Sequence, residues 1–252
     1  FWRLLHDLQI PHMTLLDLDR EREGGGWARI KYVLKQLIAC GYDRDVLLHT
    51  RNGIMTEWEK AQNGYLYDAN YDKEIVEART RCADLCYEFN QCRPSDTKKQ
   101  KELLTKILGS MKENPVITAP FYCDYGFNIS IGKNFYTNHN VTILDGAKVT
   151  FGDNVFIAPN CVFSTAGHAI DSEQRSRGLE IALPITVGDN VWIGTNVSVL
   201  PGVTIGNNTI IGAGSVVNKN IPEGVIAAGN PCKVIRKITE EDKKKYPVWE
   251  ET

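Results

Sequence analysis

Residues 187–217 read VGDNVW (187–192), IGTNVS (193–198), VLPGVT (199–204), IGNNTI (205–210) and IGAGSV (211–216), closing on Val217. Val or Ile stands at 187, 193, 199, 205, 211 and 217, and the fifth residue of each hexad is small or β-branched: Val191, Val197, Val203, Thr209 and Ser215. A six-residue period suits neither a helix of 3.6 residues per turn nor a flat strand of period 2. It predicts a parallel β-helix in which each hexad forms one side and one corner of a coil. The aliphatic residue points inward, the fifth residue fits the narrow interior, and Gly-Asn or Gly-Asp turns the corner. Three hexads close a coil, so Val187 is expected to stack on Ile205 and Ile193 on Ile211. Stacked coils bury what one hexad cannot.

Working outward, less regular copies begin at Ile131 and Ile143, and the hexads FGDNVF (151–156) and IAPNCV (157–162) carry the pattern forward. It then breaks over STAGHAIDSEQRSRGLEIALP (164–184). An unpatterned insertion of that length in a compact domain is usually functional, and a departure from local consistency marks a site. This one carries His168, one of five histidines in the chain.

Before the repeat, residues 55–115 predict a helical cap. Thr56-Glu57-Trp58-Glu59 has the T-x-x-E form of a capping box. The stretch 73–92 places apolar residues at 75, 76, 82, 85, 86 and 89 on one helical face. Pro94-Ser95 opens a further helix whose apolar face is Leu103, Leu104, Ile107 and Leu108. The repeat domain is expected over 116–238, with a catalytic loop at 164–186 and a solvated charged tail over 239–252. Residues 1–54 form a separate segment: HMTLLDLD reads as a short strand ending in Asp17 and Asp19, followed by a Gly-rich loop and an amphipathic helix. A D-x-D at a strand end can hold Mg²⁺, and residues 1–45 resemble part of a toprim domain of overcoming-lysogenization-defect type nucleases. The upstream glutamate strand of that fold is missing, so this segment is expected to be an inactive fusion remnant.

The totals narrow the class. The chain has 252 residues, is 42% hydrophobic and carries a net charge of −2, which gives no footprint for nucleic acid or a membrane surface. No apolar run reaches the roughly 18 residues of a membrane span, and the start lacks the features of a signal peptide. Seven cysteines, at 40, 82, 86, 92, 123, 161 and 232, are odd in number and scattered, as for reduced thiols in a cytoplasmic protein. Cys82, Cys86 and Cys92 have no usual zinc spacing and no nearby histidine, so packing on a helix face is the reading and no metal is expected.

Several stretches are similar to the maltose/galactoside O-acetyltransferase family: NGYLYDA, YEFN, YCDYGFNISIGKNFY, FGDNVFIAPNC, the TAGH loop, PITVGDNVWIG, PGVTIG, IGAGSVV and AAGNPCKVIRKI. The agreement is colinear from Met55 to about Ile238. The resemblance implies a left-handed parallel β-helix and transfer of acetyl from acetyl-CoA to a sugar hydroxyl. It gives His168 the part of general base in a direct attack, a part that suits a neutral imidazole beside a poorly nucleophilic hydroxyl. Ser164 is expected to solvate its turn, and no serine or cysteine nucleophile stands in a recognisable motif. An oxyanion donor is implied near Thr195. Glu180 could orient the imidazole, contact the sugar, or equally stand as a solvated carboxylate. Acceptor positions carried over are Asp68, Arg79, Asp124, Tyr136, Asn138 and Asp145. Asp124 stands where maltose-type enzymes have aspartate and galactoside enzymes have serine. Asp145 is one residue short of an aspartate of the galactoside branch, and ordinary corner polarity would explain it and Asn138 equally. Coenzyme positions implied are Asn138, Trp192, Thr195, Ala213, Asn218, Lys219, Lys233 (arginine in the galactoside enzymes) and Arg236. The resemblance also implies a homotrimer with active sites between subunits. Other readings differ at definite points. A γ-class carbonic anhydrase needs three histidines, and the repeat holds only His139 and His168. A xenobiotic O-acetyltransferase shares the loop histidine. A non-catalytic scaffold would not need the histidine loop. Mg²⁺-dependent nuclease action would rest on Asp17 and Asp19 alone.

Overall fold

The computed structural model describes residues 55–249; the segment 1–54, with Asp17 and Asp19, lies outside the described residues. From Ser110 the chain winds as a solenoid with three parallel sheets, of five, five and seven strands, the last strand of the seven running antiparallel. Face 1 runs from Ser110–Met111 to Thr204–Ile205, face 2 from Val116–Ile117 to Lys233–Lys237, and face 3 from Phe121–Cys123 to Val216–Val217. Val187 pairs with Ile205 and Ile193 with Ile211, the stacking that the hexads predict. All six aliphatic positions and all five fifth positions from 187 to 217 are buried.

The corners divide the work between two residue types. Asn134, Asn154, Asn190 and Asn208 take φ of 52–56°, in the left-handed region, which asparagine tolerates better than most residues. Their side-chain amides form a ladder of 2.9, 3.0 and 3.1 Å up the solenoid. The glycine of the same turn serves close approach instead: a Cβ on Gly188 would lie 2.2 Å from Asn207 Oδ1. Gly-Asp and Gly-Asn therefore turn the corner through the following asparagine.

Coils before residue 164 are wider than those after 185. Ile143 pairs with Phe163 and Tyr136 with Phe156, a spacing of 20 residues, where Ile193 and Ile211 are 18 apart. The two additional residues fall at the corner between faces 3 and 1, at 124–128 and again at 144–148. The wider interior is filled by phenylalanine: Phe135, Phe151 and Phe163 stack with ring centroids 5.0 Å apart at each step, and all are at most 2% exposed.

Ahead of the solenoid lie helices α1 (Glu57–Gln62), α2 (Lys73–Asn90) and α3 (Thr97–Ile107). Thr56 and Glu59 make the reciprocal bonds of a capping box, Thr56 N to Glu59 Oε2 and Glu59 N to Thr56 Oγ1. α3 is capped by Asp96, whose carboxylate accepts from Lys99 N at 3.1 Å, two residues past the Pro94-Ser95 start. α2 buries Ile75, Cys82, Cys86 and Phe89, while Val76 faces outward at 38% exposure. α2 packs on α3 and on the strand Phe121–Cys123. Past the solenoid, Glu240–Lys244 form a short 3₁₀ turn. No helix among the described residues is long and apolar enough to cross a membrane.

Candidate active site

The break in the repeat is an ordered hairpin. Strand Ala166–His168 pairs antiparallel with Leu179–Ala182, with a short helix α4 (Ser172–Ser176) between them. Asp171 caps α4 by accepting from Gln174 N at 2.9 Å, and Gly178 turns the chain back at φ 77°. Arg175 ties the tip down, donating to the carbonyls of Ala169 and Ile170 at 3.0 and 2.8 Å. At the base, the buried Thr165 hydroxyl donates to Leu144 O at 2.7 Å and accepts from Ala147 N at 3.0 Å. Ser164 donates to Ala166 O at 3.0 Å, a turn-stabilising part as its position in the sequence suggested. The outer edge of the hairpin is completed by the cap: Tyr67–Asp68 adds a third strand, with Tyr67 opposite Glu180 and Asp68 opposite Leu179.

Residues directly opposite on antiparallel strands project to the same side of a sheet. Tyr67 and His168 both lie opposite Glu180, so the three form one row across the sheet. The Tyr67 hydroxyl donates to Glu180 Oε2 at 3.4 Å; Glu180 is half-buried and His168 is exposed. Arg79 of α2 donates to the Tyr125 hydroxyl at 3.0 Å and to the Ala69 carbonyl, with its guanidinium carbon 5.7 Å from the Tyr125 ring centroid. Burial pushes the Asp124 carboxyl above its usual value, Arg79 opposes the shift and Glu180 adds to it. Burial, then the negative charge of Glu180, pushes the Tyr67 phenol up as well. The Arg79 guanidinium thus lies within electrostatic reach of two half-buried carboxylates, Asp124 and Glu180. Asp68 holds the turn that follows it, accepting from Asn70 N at 3.1 Å and Tyr71 N at 2.8 Å.

Asp145 belongs to the frame of the site rather than to its surface. It is fully buried. Its carboxylate accepts from the backbone N–H groups of Asp124, Tyr125 and Asn128 at 3.1, 2.9 and 3.3 Å. The expected sugar contact is corrected to a group that holds the corner carrying Asp124.

A second group of expected residues gathers elsewhere. Trp192, 53% exposed, stands on face 2 in register with Phe156, which is in register with Tyr136. Asn138, Thr195 and Ala213 follow at the corner between faces 2 and 3. Thr195 Oγ1 donates to Pro159 O at 2.9 Å. The neighbouring N–H groups of Gly194 and Asn196 are bound to Ile211 O and Pro159 O. Asn218 and Lys219 lie exposed beyond face 3, and Lys233 and Arg236 are exposed on the final antiparallel strand. The Arg236 fork meets Asp242 at 2.6 and 2.8 Å, so the charged tail has one fixed partner. Tyr136 and Asn138, expected at the acceptor, stand with this second group. The structure brings together Asp68, Arg79, Asp124, Glu180 and His168 at the corner between faces 3 and 1, along which Asn218 and Lys219 also lie, and Trp192, Asn138, Thr195 and Ala213 along the corner between faces 2 and 3. Sequence reasoning missed Tyr67 and Tyr125. Both sit inside motifs quoted for their acids, but an aromatic residue in a strand reads as packing until its hydroxyl is placed.

These features define a left-handed β-helix acyltransferase with a helical cap. The maltose acetyltransferase hexapeptide capping motif matches residues 60–112, and the bacterial transferase hexapeptide (six repeats) matches 184–219. A putative acetyltransferase of Saccharomyces cerevisiae is 59% identical over 179 residues, covering 71% of this chain and 91% of that one. The galactoside O-acetyltransferase of Escherichia coli is 50% identical over 172 residues, covering 68% and 85%. A solved galactoside acetyltransferase in complex with coenzyme A superposes with a TM-score of 0.75 at 45% identity, covering 78% of this chain and all of the other. A maltose O-acetyltransferase from Clostridium difficile gives 0.71 at 44%, covering 74% and 99%. The chain belongs to the maltose/galactoside O-acetyltransferase family. The toprim likeness of residues 1–45 finds no support in these matches.

Proposed function

We propose that the protein transfers acetyl from acetyl-CoA to a hydroxyl of a sugar, with His168 as general base. The observation that carries the reading is the row Tyr67–Glu180–His168 on a cap-braced hairpin, set beside Arg79 and Asp124 at a widened solenoid corner. A sugar presents several hydroxyls, and the half-buried Asp68, Arg79 and Asp124 offer both acceptors and donors to them. The imidazole takes the proton of one hydroxyl as its oxygen attacks the thioester carbonyl carbon. The C–S bond then breaks, and the imidazolium returns the proton to the departing thiolate. Glu180, directly opposite His168 and tied to the Tyr67 hydroxyl, is a positioning residue for the imidazole. Names of relatives, maltose and galactoside O-acetyltransferases, support the acceptor class, and structures with coenzyme A or acetyl-CoA support the donor.

The second group suits coenzyme A: the exposed indole of Trp192, a polar corner at Asn138 and Thr195, and the cations Lys219, Lys233 and Arg236. Because face 3 separates Trp192, Asn138, Thr195 and Ala213 from His168 within one chain, the complete site is composite in this reading, formed where the histidine edge of one subunit meets the Trp192 edge of the next. A closed cyclic trimer satisfies that requirement. The six described cysteines are free thiols, in keeping with the reducing cytoplasm. Residues 55–238 are the catalytic unit in this reading.

The test is release of free thiol from acetyl-CoA by the full chain, with maltose, glucose, isopropyl thiogalactoside and chloramphenicol as separate acceptors. Sugar-dependent release is expected. Release with chloramphenicol alone would transfer the reading to a xenobiotic acceptor, and release with none would remove the acceptor assignment.

A further inference from the structure

Directly behind the acceptor edge, the sulfurs of Cys82 and Cys86, one helical turn apart on α2, meet the sulfur of Cys123 at the end of its face 3 strand. Cys82 Sγ lies 3.5 Å and Cys86 Sγ 3.7 Å from Cys123 Sγ, and all three lie within 4.8 Å of one another. Each is at most 9% exposed. Cys92, the third cysteine of the helical segment, is not among them. Among the described residues the other buried thiols do not join the cluster: Cys161, for example, donates to the carbonyl of Gly194 at 3.1 Å.

We propose that Cys82, Cys86 and Cys123 form a binding site for a single thiophilic d¹⁰ cation, held by three sulfurs. Sulfur ligands at the usual zinc–sulfur distance of about 2.3 Å in a trigonal array are about 4.0 Å apart, close to the separations here, so little movement is needed to seat an ion. The set is all sulfur, which selects soft ions over Mg²⁺ or Ca²⁺. Among the described residues no carboxylate or imidazole joins the three sulfurs, so three-coordination is the expected state. Loading deprotonates the three thiols, and their protons leave to solvent as the metal–sulfur bonds form. The ion joins α2, which carries Arg79 three residues before Cys82, to the strand that leads into Asp124. It therefore fixes two residues of the proposed acceptor site relative to each other, and that consequence alone rests on the functional reading.

Cadmium(II) is the probe, titrated into the reduced full chain. One equivalent per chain is expected, with a thiolate-to-metal charge-transfer band, a cadmium NMR shift of an all-sulfur environment, and a higher melting temperature. Cys86→Ser and Cys123→Ser, checked for native far-ultraviolet dichroism, are expected to weaken binding by more than about 100-fold, beyond the loss from an outer-shell partner. Cys92→Ser and Cys161→Ser are expected to leave it unchanged. Absence of the charge-transfer band at one equivalent, an oxygen-type shift, or a band that survives in Cys86→Ser and Cys123→Ser would overturn the proposal. None of these readouts depends on acetyl transfer, so failure here is distinct from failure of the proposed activity.

Discussion

The solenoid has two halves that obey different rules. From Ile185 to Val217 each coil takes 18 residues, is filled by Val and Ile, and turns on the Gly-Asn corner. From Ser110 to Phe163 each coil takes 20, is filled by phenylalanine, and swells at one corner. The regular half announces the fold. The widened half carries the proposed acceptor site: the same corner that gains two residues at 124–128 and 144–148 opens into the hairpin of His168. The difference teaches that the site is a local relaxation of the repeat, stacked in register coil after coil.

That comparison can be broken or sharpened by experiment. The largest effect on stability is expected from Phe151→Ala, which empties the centre of the phenylalanine stack and costs about 3–5 kcal/mol in chemical denaturation. Because Phe163 leads directly into the histidine hairpin, this variant is also expected to lose activity well below its melting temperature. Ile205→Ala in the regular half is expected to cost about 2–5 kcal/mol with turnover per folded molecule unchanged. Equal losses of turnover in the two variants would erase the distinction between the halves.

A smaller effect concerns the widened corner alone. Burial pushes the Asp145 carboxyl from its ordinary value of 3.8 up to about 6. The folded state therefore holds this proton more tightly than the unfolded chain does. The group's contribution to stability is greatest below about pH 4 and declines as pH rises to about 6. The decline is on the order of 3 kcal/mol. Asp145→Asn removes the titration, so the stability of the parent relative to the variant is expected to fall across that window. A difference that stays constant from pH 4 to 6 would show that Asp145 does not carry this penalty.

How much of this was legible follows from how far each interaction reaches. The stacking of Val187 on Ile205 is written in a period of six, visible to anyone counting. The position of His168 is legible as an interruption, but its hairpin is not, since the strand that completes it comes from Tyr67, 113 residues before Glu180. Asp145 misleads because a carboxylate at a corner reads the same whether it faces a ligand or three backbone N–H groups; only burial separates the two. The thiol cluster escapes for the reason the hairpin does. Cys123 lies 41 residues from Cys82, so the sequence shows two cysteines on a helix face and a third, Cys92, that takes no part.

The central claim, that the repeat opens to hold a general base, is tested most directly by His168→Ala in the thiol-release assay with the best sugar acceptor, alongside its melting temperature. Because His168 is exposed, the melting temperature is expected to be unchanged, the KM for acetyl-CoA to stay near that of the parent, and kcat to fall by at least about 10²-fold. A variant as active as the parent would contradict it.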